Sequence, residues 1–155
     1  MAKELYVEKF LTDDMIVAGK QLMLRLEAIM PVTGSFWLYT SEAEAWRLYI
    51  VTPRVLTDGI RKVYDTILNV LETEQKHEYI LPLVCVYPTD DNDHDVSLLR
   101  NVRLSDKLFD SRLTGVGVNG SGYIEDAYIY RLYANAEYSH SQSAVINEEK
   151  AAVMA

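Results

Sequence analysis

Three stretches of the chain carry side chains whose types and spacing could do chemistry. The run Asp90-Asp91-Asn92-Asp93-His94-Asp95 sets carboxylates close together, and alternate carboxylates can bind a hard cation. Glu125-Asp126 stands inside an otherwise apolar, aromatic-rich segment, where an acid pair in a cleft could serve as general acid or metal ligand. Gly115, Gly117 and Gly120 spell G-x-G-x-x-G, the spacing of a loop that cradles a dinucleotide pyrophosphate.

Each stretch also has a structural reading. A calcium loop of the EF-hand type needs glycine at its sixth position and glutamate at its twelfth. Counted from Asp90 those positions hold Asp95 and Asn101, and counted from Asp91 they hold Val96 and Val102. The run therefore reads as a solvated loop whose last acids cap a following helix, with Asp90, Asp91 and Asp93 as the candidates for a surface cation. A dinucleotide loop must open a helix and be followed by further strand–helix units. Here Tyr123, Ile124, Tyr128, Ile129, Tyr130, Leu132 and Tyr133 follow, which is strand composition, and only 35 residues remain after Gly120. Asn119-Gly120 is the preferred pair for a type I′ turn, so the glycines read as a hairpin. Adjacent strand residues face opposite ways, so Glu125 and Asp126 should not converge. Arg131, Arg47 and Arg54 are the candidate partners for whichever carboxylate faces the covered side.

Other reactive side chains are thinly spread. His77, His94 and His140 fall in polar segments and form no H-x-x-x-H spacing. Ser121 follows Gly120, but Asn119 breaks the G-x-S-x-G pattern. Cys85, the only cysteine, is flanked by Val84 and Val86 and is expected to pack in the core, where a thiol is inert. The chain carries 15 basic and 23 acidic side chains, a formal charge of -8. That balance disfavours phosphate backbones and anionic membranes, and the best basic patch, Arg100, Arg103, Lys107 and Arg112, is diluted by Asp106 and Asp110. The N-terminal MAKELYVEKF has no apolar core of a signal peptide, and cytoplasmic residence is the expectation. Tyrosine is the unusual component: five of the eleven lie between Tyr123 and Tyr138.

The elements that must position these groups follow from periodicity. Thr12-Asp13-Asp14 starts a helix in which Met15, Gly19, Leu22, Leu26 and Ile29 recur at helical spacing, and Pro31 stops it. Thr33–Thr40 and Ala45–Thr52 read as a hairpin, with Trp46, Leu48 and Ile50 on one face and Arg47, Tyr49 and Val51 on the other. Thr57-Asp58 opens a second helix with the stripe Ile60, Val63, Tyr64, Ile67 and Leu71, closed by the polar segment 74–78. Leu83–Tyr87 reads as a buried strand begun by Pro82. Val96, Leu99 and Val102 suggest a short third helix, Ser105–Thr114 looks irregular, and strands flank Asn119-Gly120 near Leu113–Val118 and Tyr123–Tyr133. Together FWLYTSEAEAWRLYIVTP, the Asn119-Gly120 turn and YIEDAYIYRL resemble a small bacterial protein, a resemblance that implies no activity.

The expected fold is thus α+β, in the order α-β-β-α-β-α-β-β. It would be a mixed five-stranded sheet with the first two helices on one face, forming one domain over 1–133 with a polar arm over 134–155. The expected function is non-enzymatic binding or assembly. Its contact surface would be Tyr123, Tyr128, Tyr130 and Tyr133 with Glu125, Asp126 and Arg131, and its partner a protein, with self-association included. The alternative is a metal-assisted hydrolase using Glu125 or Asp126 and the loop aspartates. No catalytic residue, cofactor, nucleic-acid partner or membrane partner is assigned.

Overall fold

The structure is a computed structural model. It describes residues 10–73, 81–102, 107–118, 120 and 122–133, and for Lys107, Leu108, Phe109 and Tyr133 the backbone alone. The elements run α1 (Asp13–Glu27), β1 (Gly34–Thr40), β2 (Ala45–Val51), α2 (Arg54–Asp58), α3 (Ile60–Thr73), a 3-10 turn (Leu83–Cys85), β3 (Val86–Thr89), α4 (His94–Arg100), β4 (Lys107–Val118) and β5 (Gly122–Tyr133). This is an α+β fold around one mixed sheet, in the strand order β3-β2-β1-β5-β4. Only the β2–β3 pair is parallel. Among the described residues no helix is long and apolar enough to cross a membrane.

Alternation along the strands divides the core between the two sheet faces. Trp37, Trp46, Leu48, Ile50 and Tyr130 meet Met15, Leu22, Met23 and Leu26 of α1 and Val63, Ile67 and Leu71 of α3. On the opposite face Phe36, Leu38, Tyr49, Val51, Ile129 and Leu132 meet Val96, Leu98 and Leu99 of α4. Helix α1 begins as its sequence implies. The Thr12 hydroxyl accepts from the Met15 N–H, and Asp13 and Asp14 lie in the positive first turn.

One polar chain ties α1 to the sheet. The Trp37 indole Nε1 donates to the Tyr130 hydroxyl at 2.8 Å, and that hydroxyl donates to the Ile16 carbonyl. Gly19 lies directly above this chain. A methyl group there would stand 2.4 Å from Tyr130 Oη and 2.8 Å from Trp37 Nε1. Strand β5 makes the contact possible through a bulge. Ser35 faces Arg131 and Phe36 faces Ile129, so Tyr130 is an extra residue with no partner on β1. Tyr130 and Arg131 therefore both reach α1, the first through Ile16 and the second by an ion pair with Glu27, and Leu132 returns to the α4 side.

Several expected boundaries move, each for a local reason. The helix expected from Thr57-Asp58 is two helices, because Gly59 at φ +92° breaks the run between α2 and α3. Thr57-Asp58 ends α2 and does not open α3. The strand expected over Leu83–Tyr87 begins only at Val86; after Pro82 the chain first makes a 3-10 turn. Pro88 then sits within β3, where the missing N–H is tolerated because β3 is an edge strand. Strand β4 starts at Lys107, well before Leu113, because β5 is long enough to pair it from Tyr133 back to Gly122. Ile29 follows the end of α1 and is exposed, while Met30 is buried. Asn119, the polar segment 74–78 and the arm over 134–155 lie outside the described residues. Gly120 takes φ +69° between the paired ends Val118 and Gly122, as a tight hairpin turn requires.

Helical Gly→Ala substitutions usually stabilise by up to about 1 kcal/mol. For Gly19→Ala the sign should reverse, with a loss of roughly 1–3 kcal/mol in urea denaturation from overpacking against Tyr130 and Trp37. Tyr130→Phe should cost about 1–3 kcal/mol by leaving the indole N–H unsatisfied. The double variant should cost less than the sum, because removing the hydroxyl makes room for the methyl. A neutral or stabilising Gly19→Ala would contradict this packing.

Candidate functional site

The aromatic strand does not form an open tyrosine surface. Tyr130 is 2% exposed and belongs to the core. Tyr128 is half-buried and packs edge-on against Tyr130 at 5.4 Å between ring centroids. Tyr123, at 62% exposed, is the tyrosine of this strand that faces solvent among those whose side chains are described. The side chain of Tyr133 lies outside them. Alternation put Tyr128 and Tyr130 on a common face correctly, but that face is the one α1 covers.

The acidic candidates are distributed among separate partners. Asp126 receives both Nε and Nη2 of Arg112, at 2.7 and 2.8 Å, and the Thr114 hydroxyl at 3.2 Å. That hydrogen-bonded pairing raises the Arg112 pKa further, and the guanidinium also lies over the Trp46 ring at 5.4 Å. Glu125 accepts from the backbone N–H and the hydroxyl of Ser41, at 2.8 and 3.1 Å, and so holds the β1–β2 turn. The partners differ from those the sequence suggested. Arg131 pairs with Glu27, Arg54 with Asp58, and Arg47 lies over the Tyr87 ring.

The aspartate run is built into the framework in the same way. Asp91 accepts from Arg100 at 2.6 Å and from the Thr33 hydroxyl at 2.9 Å. Asp93 caps α4 by accepting from the N–H groups of Asp95 and Val96, while its other oxygen takes the Thr89 hydroxyl. Asp90 accepts from the Asn92 N–H at 2.7 Å. Asp95 takes the Tyr49 hydroxyl at 2.6 Å. Among the described residues no group of three His, Cys, Asp or Glu side chains is placed to hold a metal ion. Cys85 is buried in the 3-10 turn.

A cleft that the sequence reading missed lies on the α4 side of the sheet. Its volume is about 280 Å³, and it is lined by Leu38, Thr40, Glu42, Ala43, Arg47, Tyr49 and Asp95. It exists because α4 has only seven residues and leaves the hairpin end of β1 and β2 uncovered. Phe36, Tyr49 and Tyr87 form an aromatic row across β1, β2 and β3, with centroids 4.7 and 4.8 Å apart. This row fixes the Tyr49 ring beneath Asp95. Burial, then the hydrogen bond to Asp95 and the nearby acids, raise the Tyr49 pKa far above its ordinary 10.0, so the phenol stays protonated. The sequence signal for the cleft was the face of β2 that carries Arg47 and Tyr49, taken with the acid that follows the α4 cap.

Comparison of the chain with protein-family models, with curated proteins and with solved structures found no match.

Burial also holds the Tyr130 phenol well above the ordinary 10.0. Both groups keep protons that the unfolded chain gives up near pH 10. Their contribution to stability is then complete below about pH 10 and is lost progressively as pH rises from there toward their raised folded-state values. Alkaline titration followed by phenolate absorbance should show Tyr49 and Tyr130 ionising only as the protein unfolds. Free ionisation of both in the folded protein near pH 10 would contradict the burial.

Proposed function

We propose that the protein works by binding and not by catalysis, as an assembly component that pairs with a second copy of itself through the outer face of α1. The observation that carries this reading is the exposure of Val17 and Leu24, at 57% and 45%. Both lie nearly opposite the buried set Met15, Gly19, Leu22, Met23 and Leu26 on the helical wheel. A surface helix ordinarily presents polar residues there. Phe10 and Ile29, exposed beyond the two ends of α1, add apolar area. The ends of α1 differ in charge, with Asp13 and Asp14 in the first turn, and in the last Arg25 beside Glu27, which Arg131 neutralises. An antiparallel second copy would bring opposite charges together, which favours that occupant over an unrelated acidic surface.

This reading keeps protein association but moves it off the tyrosine strand, whose face α1 occupies. The hydrolase reading finds no support in the carboxylates, which are committed to Arg112, Ser41, Arg100, Thr89 and Tyr49. Millimolar magnesium, manganese, calcium or zinc should leave the melting temperature unchanged; a clear rise with any of them would revive a metal site.

Val17→Glu with Leu24→Glu should convert an associated species to monomer in light scattering at micromolar concentration. Loss of those two side chains from the interface corresponds to roughly 3 kcal/mol or more, a hundredfold or greater weakening. Urea stability of the monomer should change by no more than about 0.5 kcal/mol, since neither side chain is in the core. A monomeric wild-type protein, or a variant that associates equally well, would overturn the reading.

A further inference from the structure

The cleft at the hairpin end of the sheet has a composition that points to a ligand of its own. Its charged groups are of both signs: Arg47 on β2, Glu42 on the hairpin turn, and Asp95 at the start of α4. Its floor is apolar and rigid, made by the buried Leu38 and Tyr49. The Thr40 hydroxyl accepts from the Ala43 N–H at 3.2 Å and, among the described residues, donates to no acceptor. The Tyr49 hydroxyl is held as a donor to Asp95, so the Asp95 carboxylate is fixed in place at the cleft edge. Arg47 rests over the Tyr87 ring, 6.0 Å from its centroid, and among the described residues its guanidinium N–H groups donate to no acceptor.

We propose that this cleft binds a small zwitterion of the free α-amino-acid class. The Arg47 guanidinium takes the carboxylate, a pairing for which its planar fork is suited. Asp95 and Glu42 take the ammonium group. A purely anionic ligand would meet two like charges at Glu42 and Asp95, and a purely cationic one would satisfy the carboxylates but leave Arg47 without an anionic partner. A molecule carrying both charges satisfies each wall. The volume of about 280 Å³ is at the lower end for ligand sites, which restricts the occupant to a molecule of this size. The side chain of the ligand would lie on Leu38 and Ala43.

The site is on the α4 side of the sheet, opposite the α1 face, so it is independent of self-association. The test is calorimetric titration of the full-length protein with the free L-amino acids, one at a time, at millimolar concentration. At least one should bind with a dissociation constant of about 1 mM or tighter. Its N-acetyl and amide derivatives, each lacking one charge, should bind at least about tenfold more weakly, as should the free acid to Arg47→Gln or Glu42→Gln protein. Arg47 and Glu42 are exposed, so both variants should melt as the wild type does. Asp95→Asn supplies a third variant if it remains folded. No binding by any amino acid, equal binding of the singly charged derivatives, or binding unaffected by Arg47→Gln would overturn the proposal.

Discussion

The contact on which the rest of the molecule depends is the Trp37–Tyr130–Ile16 hydrogen-bond chain beneath Gly19. A buried indole N–H and a buried phenol would each be costly without partners. Here each satisfies the other, and the last acceptor is a helix carbonyl. This sets how near α1 can come to the sheet, and only glycine at position 19 permits the approach. The apolar stripes of α1 and α3 then close over Trp37, Trp46 and Leu48.

The bulge at Tyr130 serves this contact and shapes both faces of β5. Two consecutive side chains, Tyr130 and Arg131, turn toward α1, and the parity of the strand then changes so that Leu132 joins the α4 side. On β4, Asp110 lies opposite this point and takes φ +45°, and its carboxylate reaches Lys20 of α1 at 3.7 Å. Helix, central strand and edge strand are thus adjusted to one another at one place. The opposite face is covered by a much shorter helix, so the hairpin end stays open and the charged side chains there line a cleft. Among the described residues several carboxylates make framework contacts: they cap α4, hold the hairpin turn and pair with arginines.

Much of the fold was legible because it follows from local period. The division of Trp46, Leu48 and Ile50 from Tyr49 and Val51 is strict alternation, and the buried faces of α1 and α3 follow the 3.6-residue repeat. Asp93 as a cap is similarly local. The misreadings came where a neighbour decided the outcome. Ser105–Thr114 looked irregular because an edge strand has little signal of its own; from Lys107 onward β5 recruits it. The tyrosines of β5 looked like a surface because composition does not say which face a helix will cover. Partner choice among charges was equally hidden, since Asp126–Arg112 and Arg131–Glu27 join residues brought together by strand register and helix docking.

The sequence by itself determined a mixed α+β fold: alternation and helical spacing specify which residues of each element turn inward, and Gly120, Pro31, Pro53 and Pro82 mark where elements change. It also determined that the glycine triad lies in a hairpin and not in a nucleotide loop, because strand composition, and not a helix, comes directly after it. Tertiary structure alone decided the strand order, the bulge that sends Tyr130 and Arg131 to the same helix, and the uncovered corner where Arg47, Glu42 and Asp95 meet. The reason is that these features arise from contacts between distant parts of the chain. Burial and charge pairing depend on which surfaces come to face each other, and no local pattern carries that information.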